Sequence, residues 1–429
     1  MTGLATENAL VRDVDAVEAF ARRCFSGSPG DLLGVELEFL VFDRTAPARQ
    51  VPIPRISGAL PPLPGGSVVT FEPGGQLELS GPPGPLPDAI GRLTRDVEAV
   101  REALREADLV LAGVGLDPLR PAWRQLRLPR YEAMAEFLGA PYGSLMMCST
   151  ASIQVNLDLG PDPVKRWERA HLLGPVLVAA FACSPLSGSR PCGWMSGRQA
   201  VWERLDPTRT AAVPATGDPA ADWARYLLDA RLMAVREDTG PGEDSEKGEN
   251  GENGENGENG VRYRPVRDGS AFRDLLAASR EAPTLADLTY HATTLFPPVR
   301  PRGWLEIRYL DAQGPAGWQV CAAVTHALVT DDRAADAALA AVEPCAGMWL
   351  QAGRRGLAES RLRDAADDCF RAALAALPRL GAPPDLVREV AAFADRHVTP
   401  GRSPAADLLE LVRGPEGRLP AWLAGEGRA

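Results

Sequence analysis

The sequence predicts an α+β fold: a largely antiparallel sheet with one face covered by helices and the other left for chemistry. Two observations point to it. Four segments alternate apolar and polar residues at period two, the mark of a strand whose faces differ. From Trp318 to Val412 the residues then follow helical spacing, in segments 319–329, 333–351, 360–377, 384–396 and 404–412. Strands followed by helices suit a sheet with one face packed and one wet.

The central strand is Gly34–Phe42. Val35, Leu37, Phe39 and Val41 fall on one face, and Glu36 and Glu38 on the other. The polar face of the next segment carries Gln76, Glu78 and Ser80. Ile153–Leu159 offers Gln154, Asn156 and Asp158, and Leu305–Leu310 offers Glu306 and Arg308. If the four pair in one sheet, Glu36, Glu38, Glu78, Asp158 and Glu306 share a surface. Like charges that close raise each other's pKa unless a cation lies between them. For any one strand, a solvated face explains the pattern equally well. Oxygen-only ligands suit a hard cation such as Mg2+ rather than zinc, and carboxylate-bound Mg2+ usually carries substrate phosphates. The pattern therefore points to a nucleotide-using enzyme.

The other elements follow in order. Residues 8–24 read as an amphipathic helix. Val68–Phe71 is a strand, and Glu72-Pro-Gly-Gly a tight turn. Leu86–Asp108 is helical, with Asp88 as N-cap, and Val110–Leu116 is a short strand. Arg124–Leu138 passes from loop to helix and carries Arg130 and Tyr131. Met146–Leu159 reads as one strand and Pro163–Ala182 as one long helix. Ser184–Gly197 is a Gly/Ser/Pro-rich functional loop. Arg198 and Trp202, four apart, share a helix face. Trp223–Met233, 271–279 and 285–294 are helical. Residues 240–260 are a low-complexity Glu-Asn-Gly insertion, expected to be a disordered spacer.

Composition excludes several classes. The net charge is −11, but residues 237–260 hold nine acids and one lysine, which leaves −3 for the rest. No concentrated basic face marks a nucleic-acid partner. Lys165 and Lys247 are the only lysines, so arginine must serve any phosphate. Seven cysteines form no Cys-x-x-Cys pair, and no apolar run reaches membrane-spanning length. A reducing cytoplasm is the expected compartment. There is no Walker loop, and Gly113-Val-Gly115 makes a weak dinucleotide motif. Of the four histidines, His171 and His326 read as packing residues, and only His291 stays in view as a functional candidate. Cys148 reads as a buried small hydrophobe.

Val35-Glu-Leu-Glu-Phe39, Glu72-Pro-Gly-Gly-Gln-Leu-Glu-Leu-Ser80, Met147–Asp158 and Arg300-Pro-Arg-Gly-Trp-Leu-Glu-Ile-Arg308 through Gln313 together resemble the glutamate–cysteine ligase family. The likeness is to its plant-type and actinobacterial branch, which includes the ergothioneine-pathway ligase. It runs from about residue 30 to about 410. It implies a single catalytic domain over 1–429, with residues 318–412 packed on a glutamine-synthetase-like sheet. The implied reaction is ATP-dependent ligation of the L-glutamate γ-carboxylate to the amine of L-cysteine through a γ-glutamyl phosphate. Glu36, Glu38, Glu78 and Glu306 match the family's metal-binding acids, for Mg2+ or Mn2+. Arg302 and Arg308 are expected at the phosphate or acyl phosphate, with ion pairing as the alternative for Arg308. Arg130 and Tyr131 match a substrate-side segment, and Arg198 and Trp202 a glutamate-recognition element, with packing the alternative for Trp202. Gln154 and Asn156 would give neutral hydrogen bonds to substrate or nucleotide. Family members often have Asn where this chain has Cys183. Two rivals stand beside this reading: a ligase of the same fold using another amine, and a non-catalytic ligand-sensing relative. No partner other than small molecules is expected, and the sequence leaves the oligomeric state open.

Overall fold

The structure is a computed structural model that describes residues 8–238, 261–278, 282–315 and 317–413. Seven strands form one sheet: β1 (Leu33–Asp43), β2 (Val68–Phe71), β3 (Leu77–Ser80), β4 (Leu109–Ala112), β5 (Ser152–Leu157), β6 (Val299–Pro301) and β7 (Leu305–Asp311). Their order is β6-β7-β5-β1-β3-β2, and every pairing is antiparallel. The long β1 is shared on one flank: residues 36–39 pair with β3 and residues 40–43 with β4. The four alternating segments thus meet in one sheet, as their pattern predicts.

Val35, Leu37, Phe39, Val41, Leu77, Leu79, Ile153, Val155, Leu157, Leu305 and Ile307 all point into one core. The helices Leu86–Glu106, Gly174–Phe181, Gly317–Thr330 and Ser360–Ala376 cover it. Burying these side chains is worth up to about 20 kcal/mol in total. That exceeds the few kcal/mol that crowded carboxylates on the other face cost. Further along β1, Leu40 and Phe42 leave the polar pattern and close a small second core with Val114, Ala151, Cys183 and Leu408. The acidic stretch of β1 is therefore only two side chains long.

Several boundaries differ from the sequence reading. The segment expected as one strand from Met146 is a helix, Ser144–Ser149, followed by β5. Met146, Met147, Cys148 and Ser149 are all buried, so periodicity could not separate strand from helix there. The long helix from Pro163 breaks at Leu173, because Pro175 has no N–H to continue the ladder. Asp88 is not a cap: Pro85 occupies that position without a side-chain bond, and Asp88 only adds charge to the first turn. The helix expected from Trp223 begins earlier, at Pro219, capped by Asp218. The segment 333–351 divides into Asp332–Val342 and Trp349–Arg355. His291 is a packing residue, buried against Phe272, with Nε2 2.9 Å from the Leu227 carbonyl oxygen. The Glu-Asn-Gly insertion lies outside the described residues.

Candidate active site

Strand register brings the acids together. Glu38 lies opposite Glu78, and Glu36 lies between Ser80 and Gln154. The β2–β3 hairpin adds a fourth carboxylate, Glu72, at a turn closed by a Gly75 N–H bond to the Glu72 carbonyl oxygen (2.8 Å), with Gly75 at φ +88°. Carboxylate oxygens of Glu38, Glu72 and Glu78 lie within 4.8 Å of one another. Burial, then Glu78 and Glu306, pushes Glu36 up to about 7. Burial, then Glu38 and Glu78, pushes Glu72 up to about 8. Glu38 and Glu78 are raised as well, both chiefly by burial. Four carboxyls forced toward neutrality on one surface are a donor set that a hard divalent cation fits.

Across β5 stands a cationic wall. Arg308 donates to Glu306 Oε2 (2.9 Å) and to the Gln154 amide oxygen. Arg300 binds the same carboxylate through two nitrogens (2.6 and 3.1 Å), and Arg302 through one (3.0 Å). Burial alone would raise the pKa of Glu306, but Arg300 and then Arg308 hold it well below the usual carboxylate range. Glu306 stands outside the three-acid cluster. Of the four expected metal ligands, it is the one whose lone pairs already serve arginines. Arg302 is 45% exposed and lies 5.3 Å from the Trp304 ring, at the mouth of the site.

Gln154 and Asn156 are less free than expected. Gln154 donates to Glu38 (3.3 Å) and accepts from Arg308. Asn156 donates to Glu36 (2.8 Å) and accepts from the Trp304 indole (3.0 Å). Their place between β1 and β7 makes them bridges between the acidic and cationic halves. Arg198 is buried; its Nη2 donates to the Arg308 carbonyl oxygen (2.7 Å), while Nη1 makes no hydrogen bond. Its guanidinium lies 5.6 Å from the Trp202 ring, which meets Phe296 edge-on. Arg198, Trp202, Phe296, Pro298, Arg308 and Tyr309 enclose a cavity of about 30 Å³. On the far side of the acids, Arg130 lies 4.9 Å from the Tyr131 ring, and its charge opposes that on Glu72.

Sequence reasoning missed Glu72, Trp304 and Asp311. Glu72 was signalled. Thr70 pairs with Glu78 across the hairpin, and Glu72 shares Thr70's parity. Reading it as a turn residue hid that.

An antiparallel sheet with a helix-covered back and a front of acids and arginines is the architecture of the carboxylate–amine ligases. Residues 32–421 match the glutamate-cysteine ligase family 2, and the chain belongs to that family. It is 41% identical to the glutamate–cysteine ligase EgtA of Mycobacterium tuberculosis (strain ATCC 25618 / H37Rv) over 436 residues, 96% of this chain and 95% of the relative. Identity to the chloroplastic glutamate–cysteine ligase of Arabidopsis thaliana is 28% over 388 residues, 82% of this chain and 67% of the plant protein. Among solved structures, the glutamate–cysteine ligase of Francisella tularensis in complex with AMP shares the fold at TM-score 0.55 and 14% identity, over 94% of this chain and 88% of that one. The bifunctional glutathione synthetase of Pasteurella multocida does so at TM-score 0.54 and 15% identity, over 96% of this chain and 54% of that one. The chain is an enzyme, a ligase.

Proposed function

We propose that this chain joins the γ-carboxylate of L-glutamate to the amine of L-cysteine with ATP, and that the γ-glutamylcysteine formed serves thiol synthesis, including ergothioneine. A γ-carboxylate oxygen attacks the terminal phosphorus of ATP, and ADP leaves. The cysteine nitrogen then attacks the acyl carbon, loses its proton and expels phosphate. One observation carries this reading: the acids Glu36 and Glu38 of β1, with Glu72 and Glu78 behind them, share one sheet face with Arg308 of β7, β5 lying between β1 and β7, and Arg198 is held at the Arg308 carbonyl oxygen.

Arg198 Nη1 receives a glutamate carboxylate, for which a guanidinium has matching geometry, and the Trp202 ring packs against the substrate's methylene groups. Arg308, and Arg302 at the mouth, take up charge on the phosphoryl group. Glu306 fixes the direction of both. Arg130 and Tyr131 flank the substrate on the Glu72 side. Glu38, Glu72 and Glu78, with Glu36 beside them, hold Mg2+ or Mn2+. When bound, the cation supplies charge neutralisation for the phosphates.

A cytoplasmic location fits seven free cysteines, and no helix among the described residues is long and apolar enough to cross a membrane. The test is ADP release from ATP, Mg2+ and L-glutamate, with candidate amines added singly and the product weighed. Turnover with L-cysteine and the mass of γ-glutamylcysteine is the expected result. Turnover driven only by another amine would move the chain to that acceptor.

A further inference from the structure

Asp311 ends β7 outside the motif that the alternation picks out. Strict period two from Glu306 puts Arg308 on the site face and Asp311 on the core face. The pairing of β7 with β5 shifts between Ile307 and Leu310, so Arg308 and Tyr309 together oppose Gln154. Such a bulge reverses parity beyond it. Tyr309 and Leu310 both enter the main core, and Asp311 turns to the side of the active site.

There the buried Asp311 carboxylate accepts three hydrogen bonds. They come from Ser196 Oγ (2.9 Å), Ser184 Oγ (2.7 Å) and the Cys183 amide (2.9 Å). Each serine hydroxyl, its proton given to Asp311, accepts from the first turn of the helix Gly197–Trp202. Ser184 Oγ takes the Arg198 amide (3.1 Å), and Ser196 Oγ takes the Gln199 amide (3.1 Å). The bulge also presents the Arg308 carbonyl oxygen that holds Arg198 Nη2. Backbone and guanidinium of Arg198 are thus fixed from one irregularity in β7, and Nη1 is left without a hydrogen-bond partner in a residue that lines the cavity beside Arg308.

We propose that Asp311 is a positioning residue for the glutamate donor, acting through Ser184 and Ser196 to set Arg198. This rests on the proposed function, in which Arg198 receives a glutamate carboxylate. As a carboxylate, Asp311 accepts from all three partners at once; an amide offers one acceptor oxygen, and the serine hydroxyl facing its NH2 group must rotate its proton away.

The test is steady-state kinetics of Asp311→Asn and Ser196→Ala with each substrate varied, the fold checked by circular dichroism. Asp311→Asn should raise the glutamate KM 10- to 100-fold, with the KM values for ATP and cysteine within about twofold. Ser196→Ala, which removes the bonds to Asp311 and from the Gln199 amide and leaves the carboxylate, should raise the glutamate KM three- to tenfold. It decides the question if the first variant does not fold. Adding Asp311→Asn to Arg198→Ala should change the glutamate KM less than twofold further. An unchanged glutamate KM in folded variants, equal rises in all three KM values, or full additivity with Arg198→Ala would overturn the proposal. Absence of wild-type turnover with glutamate would instead remove the function on which it rests.

Discussion

Replacing Glu72 with Gln should stabilise the metal-free protein while removing its response to the cation. In the fold, Glu72 is pushed up to about 8 by burial and by Glu38 and Glu78. In the unfolded chain a glutamate titrates near about 4.3. A carboxyl raised in this way costs stability once the pH exceeds its unfolded pKa, and the cost grows until the folded pKa is reached. At pH 7.5 the gap is worth up to about 4 kcal/mol, and about 1 kcal/mol at pH 5. Glu72 is only partly buried, so about 2 kcal/mol at pH 7.5 is the working figure. Gln keeps the shape and loses the charge, so Glu72→Gln in chelator should melt a few degrees above wild type at pH 7.5. The advantage should narrow toward pH 5.

With Mg2+ the order should reverse. Wild type gains RT ln(1 + [L]/Kd), and the variant, short of one carboxylate, gains much less. The assay is thermal unfolding from pH 5 to 8 with chelator or with 10-fold steps of Mg2+. A variant less stable than wild type in chelator at pH 7.5 would refute the repulsion argument. A variant whose midpoint climbs with Mg2+ as steeply as wild type's would remove Glu72 from the cation site.

Other expectations follow from single contacts. Glu36→Gln should lower kcat at least 100-fold with the fold intact, since it removes a charge from the cation face without altering shape; near-normal turnover would contradict the role. Arg308→Lys should lose the Gln154 and Glu306 contacts together and cut kcat/KM for ATP and glutamate by 10- to 1,000-fold, measurable by coupled ADP release. Asp43 is fully buried. Burial would raise its pKa, but Arg55, Thr45 and Arg49 hold it well below the usual carboxylate range. Its contribution is therefore complete at neutral pH and fades only in acid. Asp43→Asn should lower urea stability at pH 7 by about 2–4 kcal/mol. A Cβ at Gly113 would meet the Gln313 carbonyl oxygen at 1.8 Å. Gly113→Ala should thus cost about 3 kcal/mol or more, read as lost soluble yield or a lower midpoint.

What the sequence made legible, and what it hid, divides along the regularity of the chain. Alternation along β1, β3, β5 and β7 places Glu36, Glu38, Glu78 and Glu306 on one face because a strand's side chains must alternate while its ladder is regular. The same rule fails where the ladder is not regular. Glu72 sits in a hairpin turn, where residue type announces the turn and parity is easily ignored. Asp311 lies past a bulge, where parity inverts with no local sign in Arg308-Tyr-Leu-Asp311. Partners, too, are invisible to alternation. It puts Glu306 among acids, yet the edge strand β6 brings Arg300 opposite it and makes it the anchor of a guanidinium cluster. It offers Gln154 and Asn156 as free amides, yet pairing with β1 and β7 commits both groups of each. Period two gives the face on which a residue stands; register decides whether that residue meets a substrate or a neighbour. The Asp311 kinetics test this distinction directly, since a residue that alternation sends to the core would then govern the KM of one substrate alone.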